Sequence, residues 1–166
     1  MQPDWISPED EARTIALYKR VNGTTGPIAR TRAHWLTRLI ARLLAASTWR
    51  RRNGKPQRDV AAMAEHWRRI FGLEKYWTLE RVENDTAYAE IRFPCSLEGT
   101  GDVRACHRLM EYDRALLRKM GGDLVVLRSR ADPSVTGGCK VAIRMKGDAR
   151  TDLVPAHENP GPATSA

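Results

Sequence analysis

The stretch Asp102–Met120, D-V-R-A-C-H-R-L-M-E-Y-D-R-A-L-L-R-K-M, decides how this chain is read. At 3.6 residues per turn it puts Val103, Cys106, Leu109, Met110, Leu117 and Met120 on one apolar face, with Arg104, Arg108, Glu111 and Arg118 on the other. Asp113 falls in the middle of the apolar face, two turns after Cys106. A lone carboxylate on a core face carries a large desolvation cost unless something pairs with it. Thr100 or Asp102 supplies the cap of this helix, and Gly121-Gly122 stops it. One central helix over 102–120 is therefore expected, carrying a polar group inward.

Strand patterns flank that helix on both sides. Tyr76–Val82 and Thr86–Phe93 are rich in aromatic and β-branched residues and are joined by Glu83-Asn84-Asp85, which predicts a hairpin. In the second of these, Ala87, Ala89, Ile91 and Phe93 alternate with Tyr88, Glu90 and Arg92, as a strand with one buried face requires. Pro94 ends it, Cys95 follows, and S-L-E-G-T-G (96–101) reads as a flexible loop. After the helix come a short apolar strand, Leu124–Ser129, a Gly-containing loop, and a last strand, Cys139–Lys146. There Cys139, Val141, Ile143 and Met145 face one way.

Upstream the period is helical. Ser7-Pro8-Glu9-Asp10 is a helix start, and that helix is expected to stop at Asn22-Gly23, with T-T-G-P as a turn. A longer helix over Pro27–Arg51 carries the stripe Ile28, Trp35, Leu36, Leu39, Ile40, Leu43 and Leu44. The plainer reading is a core helix with a solvated basic face; the sharper one is a helix lying on an anionic membrane or on a partner. A third helix over Gln57–Phe71 is closed by Gly72, with His66 beside its apolar stripe. The order predicts an α+β fold: N-terminal helices, then a ββ-α-ββ antiparallel sheet with helices packed on one face. Residues 1–146 form one domain in this reading, with a helical half (1–72) and a ββαββ half (73–146). Residues 147–166, polar and proline-rich, read as a disordered tail.

Composition bounds the function. The chain has 166 residues, 42% apolar and 29% charged, as expected of a soluble globule with a sizeable core. Three cysteines without a CxxC pair fit a reducing compartment. No run approaches a membrane span, and the N-terminus lacks the basic-then-apolar order of a signal peptide, so a cytoplasmic location is expected. The net charge of +8 is uneven: Ala12–Arg58 holds twelve Lys or Arg residues and no Asp or Glu. Any attraction to anions must therefore come from the N-terminal third. That third contains no nucleic-acid-binding motif, and its aromatics sit at core-like spacing, so nucleic acid is not an expected partner. A spanning or surface-bound membrane protein is not expected either, and a homodimer is compatible with the pattern.

The candidate chemistry follows from inward-pointing groups. Cys106 and Asp113 point inward by helical phase, Cys139 by strand alternation, and Cys95 ends a strand whose inner face is set by Phe93. His107 lies about 100° around the helix from Cys106. Each also has a plainer reading: a buried cysteine as a small hydrophobe, Asp113 as a structural pair, His107 as a surface residue. Two chemistries suit the set. A thiolate could attack an electrophilic carbon while Asp113 or His107 handles the proton. Alternatively, Cys95, Cys106 and Cys139 with Asp113 or His107 could bind zinc or another soft metal, although the intervals between the cysteines are longer than metal sites usually show.

Certain of these residues carry a resemblance. Pro94-Cys95, a Gly-containing loop, the helix segment Met110-Glu111-Tyr112-Asp113-Arg114-Ala115-Leu116, a strand ending in Arg128-Ser129-Arg130 and the C-x-V-x-I-x-M run at 139–145 resemble the L-2-amino-thiazoline-4-carboxylic acid hydrolase family. That family is in turn similar to small-molecule-binding domains of the 4-vinyl reductase type. The resemblance covers about residues 86–146. It implies an enzyme of specialised or sulfur metabolism that hydrolyses a C–N/C–S heterocycle or an amide-like bond, with the cysteines and the helix aspartate as matching positions. The family pattern has a cysteine three residues before the aspartate, where this chain has Met110; Cys106 stands one turn upstream on the same face. A small-molecule hydrolase is thus the first expectation. A non-catalytic domain binding a metal or small ligand is the second, and a basic nucleic-acid or membrane adaptor the third.

Overall fold

The computed structural model describes residues 8–71 and 74–159. The expected Ser7 cap, Gly72 stop and residues 160–166 lie outside them. The elements in chain order are α1 (Pro8–Ala29), α2 (His34–Arg51), α3 (Val60–Phe71), a 3₁₀ turn (Glu74–Tyr76), β1 (Trp77–Glu83), β2 (Thr86–Ile91), α4 (Val103–Leu109), α5 (Glu111–Met120), β3 (Gly122–Arg128) and β4 (Cys139–Met145). The four strands form one antiparallel sheet in the order β1-β2-β4-β3. The architecture is α+β, with helices packing on the sheet.

The β1–β2 connection shows how the sequence sets local geometry. Asn84 and Asp85 both adopt positive φ (47° and 51°), which a two-residue hairpin turn of the primed type demands and which Asn and Asp tolerate best. The alternation then places Ala87, Ala89 and Ile91 of β2 and Val141 and Ile143 of β4 in the core. α3 contributes Met63, Ala64, Trp67 and Ile70 to the same core, and Trp67 meets Trp77 edge-on with ring centroids 5.1 Å apart. Truncating Trp67 to alanine would cost about 3–5 kcal/mol. α5 also packs on β3, whereas α1 and α2 pack on α4 and α5 as an outer pair.

Three expectations are corrected. First, α1 does not stop at Asn22-Gly23 but continues through the T-T-G-P segment to Ala29, so α2 begins at His34 instead of Pro27. Pro27 loses the helix bond to the Gly23 carbonyl, and tertiary contacts from the 95–101 loop hold this part of α1 in place. Ser96 Oγ donates to the Asn22 carbonyl at 2.8 Å, and α1 passes so close to the 95–101 loop that a Cβ on Gly26 would lie 2.0 Å from Ser96 Oγ. Second, the helix over 102–120 is broken at Met110 into α4 and α5. The Arg114 guanidinium donates to the His107 carbonyl, the acceptor that the Glu111 N–H would use in an unbroken helix. A side chain inserted into the i→i−4 ladder is a recognised cause of a kink. Third, residues 147–159 are placed. Asp152 pairs with Arg144 at 2.6 Å, the Ala156 N–H donates to the Val126 carbonyl at 2.8 Å, and the His157 ring lies 3.7 Å from that of His107. The buried Arg144 requires that partner, which composition alone does not reveal.

The phase of α2 also differs from the core-helix reading. Its buried residues are the small ones, Thr37, Ala41 and Ala45, which permit close approach to α5 and α1. Trp35, Leu39 and Leu43 of the expected stripe face outward, 59%, 47% and 62% exposed.

Candidate functional site

A pocket lies between the outer pair α1–α2, the end of β2 and start of β4, and the α4–α5 kink. It encloses about 140 Å³, and its walls are mainly apolar: Leu17 and Val21 of α1, Ile40 and Leu44 of α2, and Leu109 and Met110 at the kink. Cys95, Cys106, Cys139 and Asp113 all line it. The structure thus brings together four of the five residues singled out in the sequence, from a loop, two helices and a strand.

Each thiol has its own setting. Cys95 follows Pro94 in the loop after β2, and its Sγ accepts the Leu97 N–H at 3.4 Å. That loop is fixed by Gly99 N–H and Gly101 N–H donating to the carbonyls of Arg130 and Ala131 at 2.8 and 2.7 Å. Burial pushes the Cys95 thiol up. Cys106, buried in α4, donates its S–H to Cys139; that bond and burial hold it well above the usual thiol range. Cys139 opens β4. The Cys106 S–H, the Arg130 backbone N–H at 3.4 Å and the Arg130 charge all favour its thiolate, and they outweigh burial to pull it below the usual value. Arg130 is held in turn by the Phe93 carbonyl at 3.1 Å and by Glu98. The two thiols titrate as a coupled pair, which loses its first proton more readily than an ordinary thiol because Arg130 and the thiol–thiol bond favour the thiolate.

Asp113 sits in the first turn of α5, 8% exposed, and not in mid-helix as the unbroken reading placed it. Burial raises its pKa to about 7, against the Arg114 charge, the nearby Trp67 indole and its own backbone N–H, which all favour the ionised form. The Trp67 indole approaches without completing a hydrogen bond: neither Trp67 Nε1 nor Asp113 Oδ1 has a partner among the described residues. An orphaned buried carboxylate oxygen costs about 1–3 kcal/mol or more, which a functional site can tolerate and a structural one rarely does. The sequence clue is sharpened: the desolvated carboxylate is not neutralised by a structural pair.

A polar ladder borders the carboxylate. Tyr112 hydrogen-bonds Thr48 Oγ1 at 3.1 Å and shares a second bond with the Tyr18 hydroxyl. Burial raises both phenols, so they remain neutral donors and acceptors at neutral pH. Arg51, at the end of α2, lines the pocket on the same side. Tyr18, Thr48 and Arg51 were not singled out in the sequence, because they belong to helices whose pattern shows only packing.

His107 is the candidate that the structure places elsewhere. It does not line the pocket; it stacks on His157 and lies 3.2 Å from Arg114 Nη1, and burial with the Arg114 charge lowers its pKa to about 4. The kink at Met110 and the ordered 147–159 segment put it there. Among the described residues, no three His, Cys, Asp or Glu side chains converge in a way that could hold an ion. The thiol hydrogen bond between Cys106 and Cys139 instead shares a proton between them. Neither family models, curated proteins nor solved structures yield a match to this chain.

Proposed function

We propose that the protein is a cysteine-dependent, hydrolase-like enzyme of specialised or sulfur metabolism acting on a small C–N/C–S heterocycle or related amide-like bond. The observation that carries this reading is the meeting of an activated thiol, Cys139, and an orphaned buried carboxyl, Asp113, in one mainly apolar pocket. The resemblance to the amino-thiazoline carboxylate hydrolase family supports the same substrate class. A cavity of about 150 Å³ holds a single six-membered ring, so a space of this size suits a five-membered heterocycle with its substituents toward the mouth. Arg51 offers a cation there to a substrate carboxylate.

In the reaction, the Cys139 thiolate attacks the electrophilic ring carbon and forms a C–S bond to it. Asp113, protonated near neutral pH, gives its proton to the ring heteroatom that departs as the C–N or C–S bond breaks. The resulting carboxylate takes a proton from water, whose oxygen attacks the same carbon and expels Cys139. The balance is one water consumed per ring opened, with thiol and carboxyl restored. Cys106 positions and charges Cys139 by its donated S–H, and Cys95 walls the pocket.

The test is turnover of 2-amino-thiazoline-4-carboxylate and a panel of small cyclic amidines and thioimidates, followed by product mass. Ring-opened product that disappears in both Cys139→Ser and Asp113→Asn supports the proposal. Full activity in both variants, or substrate binding without any product across the panel, rejects it.

A further inference from the structure

The outward face of α2 presents a feature that the pocket chemistry does not use. Trp35, Leu39 and Leu43 recur every four residues and form a continuous stripe on the side opposite the buried Thr37, Ala41 and Ala45. Thr37 and Ala41 line the pocket, so the stripe lies on the face of α2 turned away from it, while Leu17 of α1 is 53% exposed. Monomeric proteins rarely leave large apolar side chains contiguous on the surface without use.

The charge around the stripe is of one sign. Ala12–Arg58 contains twelve Lys or Arg residues and no Asp or Glu. Arg13, Arg30 and Arg42 are paired with carboxylates, whereas Lys19, Arg20, Arg32, Arg38 and Arg50 make no ion pair among the described residues. By helical phase Arg38 flanks the stripe on α2 and Arg50 continues its line two turns beyond Leu43. No helix among the described residues is long and apolar enough to cross a membrane.

We infer that this α1–α2 face docks the protein on an anionic lipid bilayer, with Trp35, Leu39 and Leu43 entering the headgroup boundary and the unpaired cations contacting lipid phosphates. A helix with a solvated cationic flank and Trp and Leu on its free face is what interfacial binding requires, and Trp favours that boundary. Charge complementarity selects this occupant. A second copy seated on the same face would bring two cationic surfaces together, because a two-fold interface is self-complementary. This surface stands whether or not the pocket is catalytic.

The experiment is co-sedimentation of the full chain with vesicles of phosphatidylcholine alone and of phosphatidylcholine with phosphatidylglycerol, at low and raised salt. Binding to the anionic vesicles, weakened by salt, is expected. Each cation near the surface contributes about 1 kcal/mol, so Arg38→Glu with Arg50→Glu should lower partitioning by more than about tenfold. Leu39→Ser with Leu43→Ser should lower it as strongly while leaving the melting temperature intact, since both side chains are exposed. No binding to anionic vesicles, equal binding to phosphatidylcholine alone, or binding untouched by either double variant overturns the inference. So does self-association in solution that the leucine variant abolishes without any effect on vesicles.

Discussion

Replacing Asp113 by asparagine keeps the shape of the side chain and removes its charge, so the variant isolates what that charge costs the fold. The carboxyl moves from an ordinary 3.8 to about 7 on burial. Between those values the folded chain keeps a proton that the unfolded chain has released, so this group's contribution to stability falls as pH rises from about 4 to about 7 and is constant above. The difference corresponds to at most about 4 kcal/mol at pH 8. Asp113→Asn should therefore match the parent in stability near pH 4 and exceed it by a few kcal/mol at pH 8. For a chain of this size that is a rise of roughly 10 °C in melting temperature. Turnover of the heterocycle should fall at least about 100-fold in the same variant. Denaturant melts of both proteins across pH 4–8 measure the effect. An asparagine variant that is less stable than the parent at pH 8 would refute the reasoning, because it would mean that the buried carboxylate is paired and holds the fold together.

Other outcomes follow from the same geometry. Cys106→Ala removes the S–H that stabilises the Cys139 thiolate, so the alkaline-rising limb of the turnover profile should move to higher pH while Cys139 remains competent; an unmoved profile would separate the two thiols. His107→Ala should leave turnover unchanged, because that ring stacks on His157 outside the pocket; a large loss of activity would return His107 to the mechanism. Gly26→Ala should destabilise by about 1–3 kcal/mol, the usual cost of overpacking, since the new Cβ meets Ser96 2.0 Å away. Thermal melting reads this directly, and a neutral result would show that the loop carrying Cys95 is free to shift.

The half from Trp77 to Met145 was legible because alternation and turn chemistry act locally. The Asn84-Asp85 turn, the Asp102 cap accepting the Ala105 N–H at 2.8 Å and the Gly121 stop at φ 98° all follow from single residues. The inward positions of Cys106, Asp113 and Cys139 followed from period, and the pocket unites them. The kink at Met110 was hidden because its cause is a side-chain bond from Arg114, not a Pro or Gly. The length of α1 was misread because the Ser96 contact that supports it comes from a residue seventy-four positions away from Asn22. α2 deceived in a different way. Large apolar residues normally mark the packed face, but here the small Thr37, Ala41 and Ala45 pack while Trp35, Leu39 and Leu43 face outward. The pocket walls from α1 and α2 were therefore out of reach of pattern alone.

Residue-resolved alkylation of the native protein by iodoacetamide, followed by peptide mass mapping across pH 5–9, tests the activated thiol directly. Cys139 should react first, with a rate rising at lower pH than for an ordinary thiol, while Cys95 and Cys106, both raised by their surroundings, lag well behind. If Cys95 or Cys106 reacts before Cys139, or if all three react alike, the pocket does not hold the activated thiol on which the proposed chemistry depends.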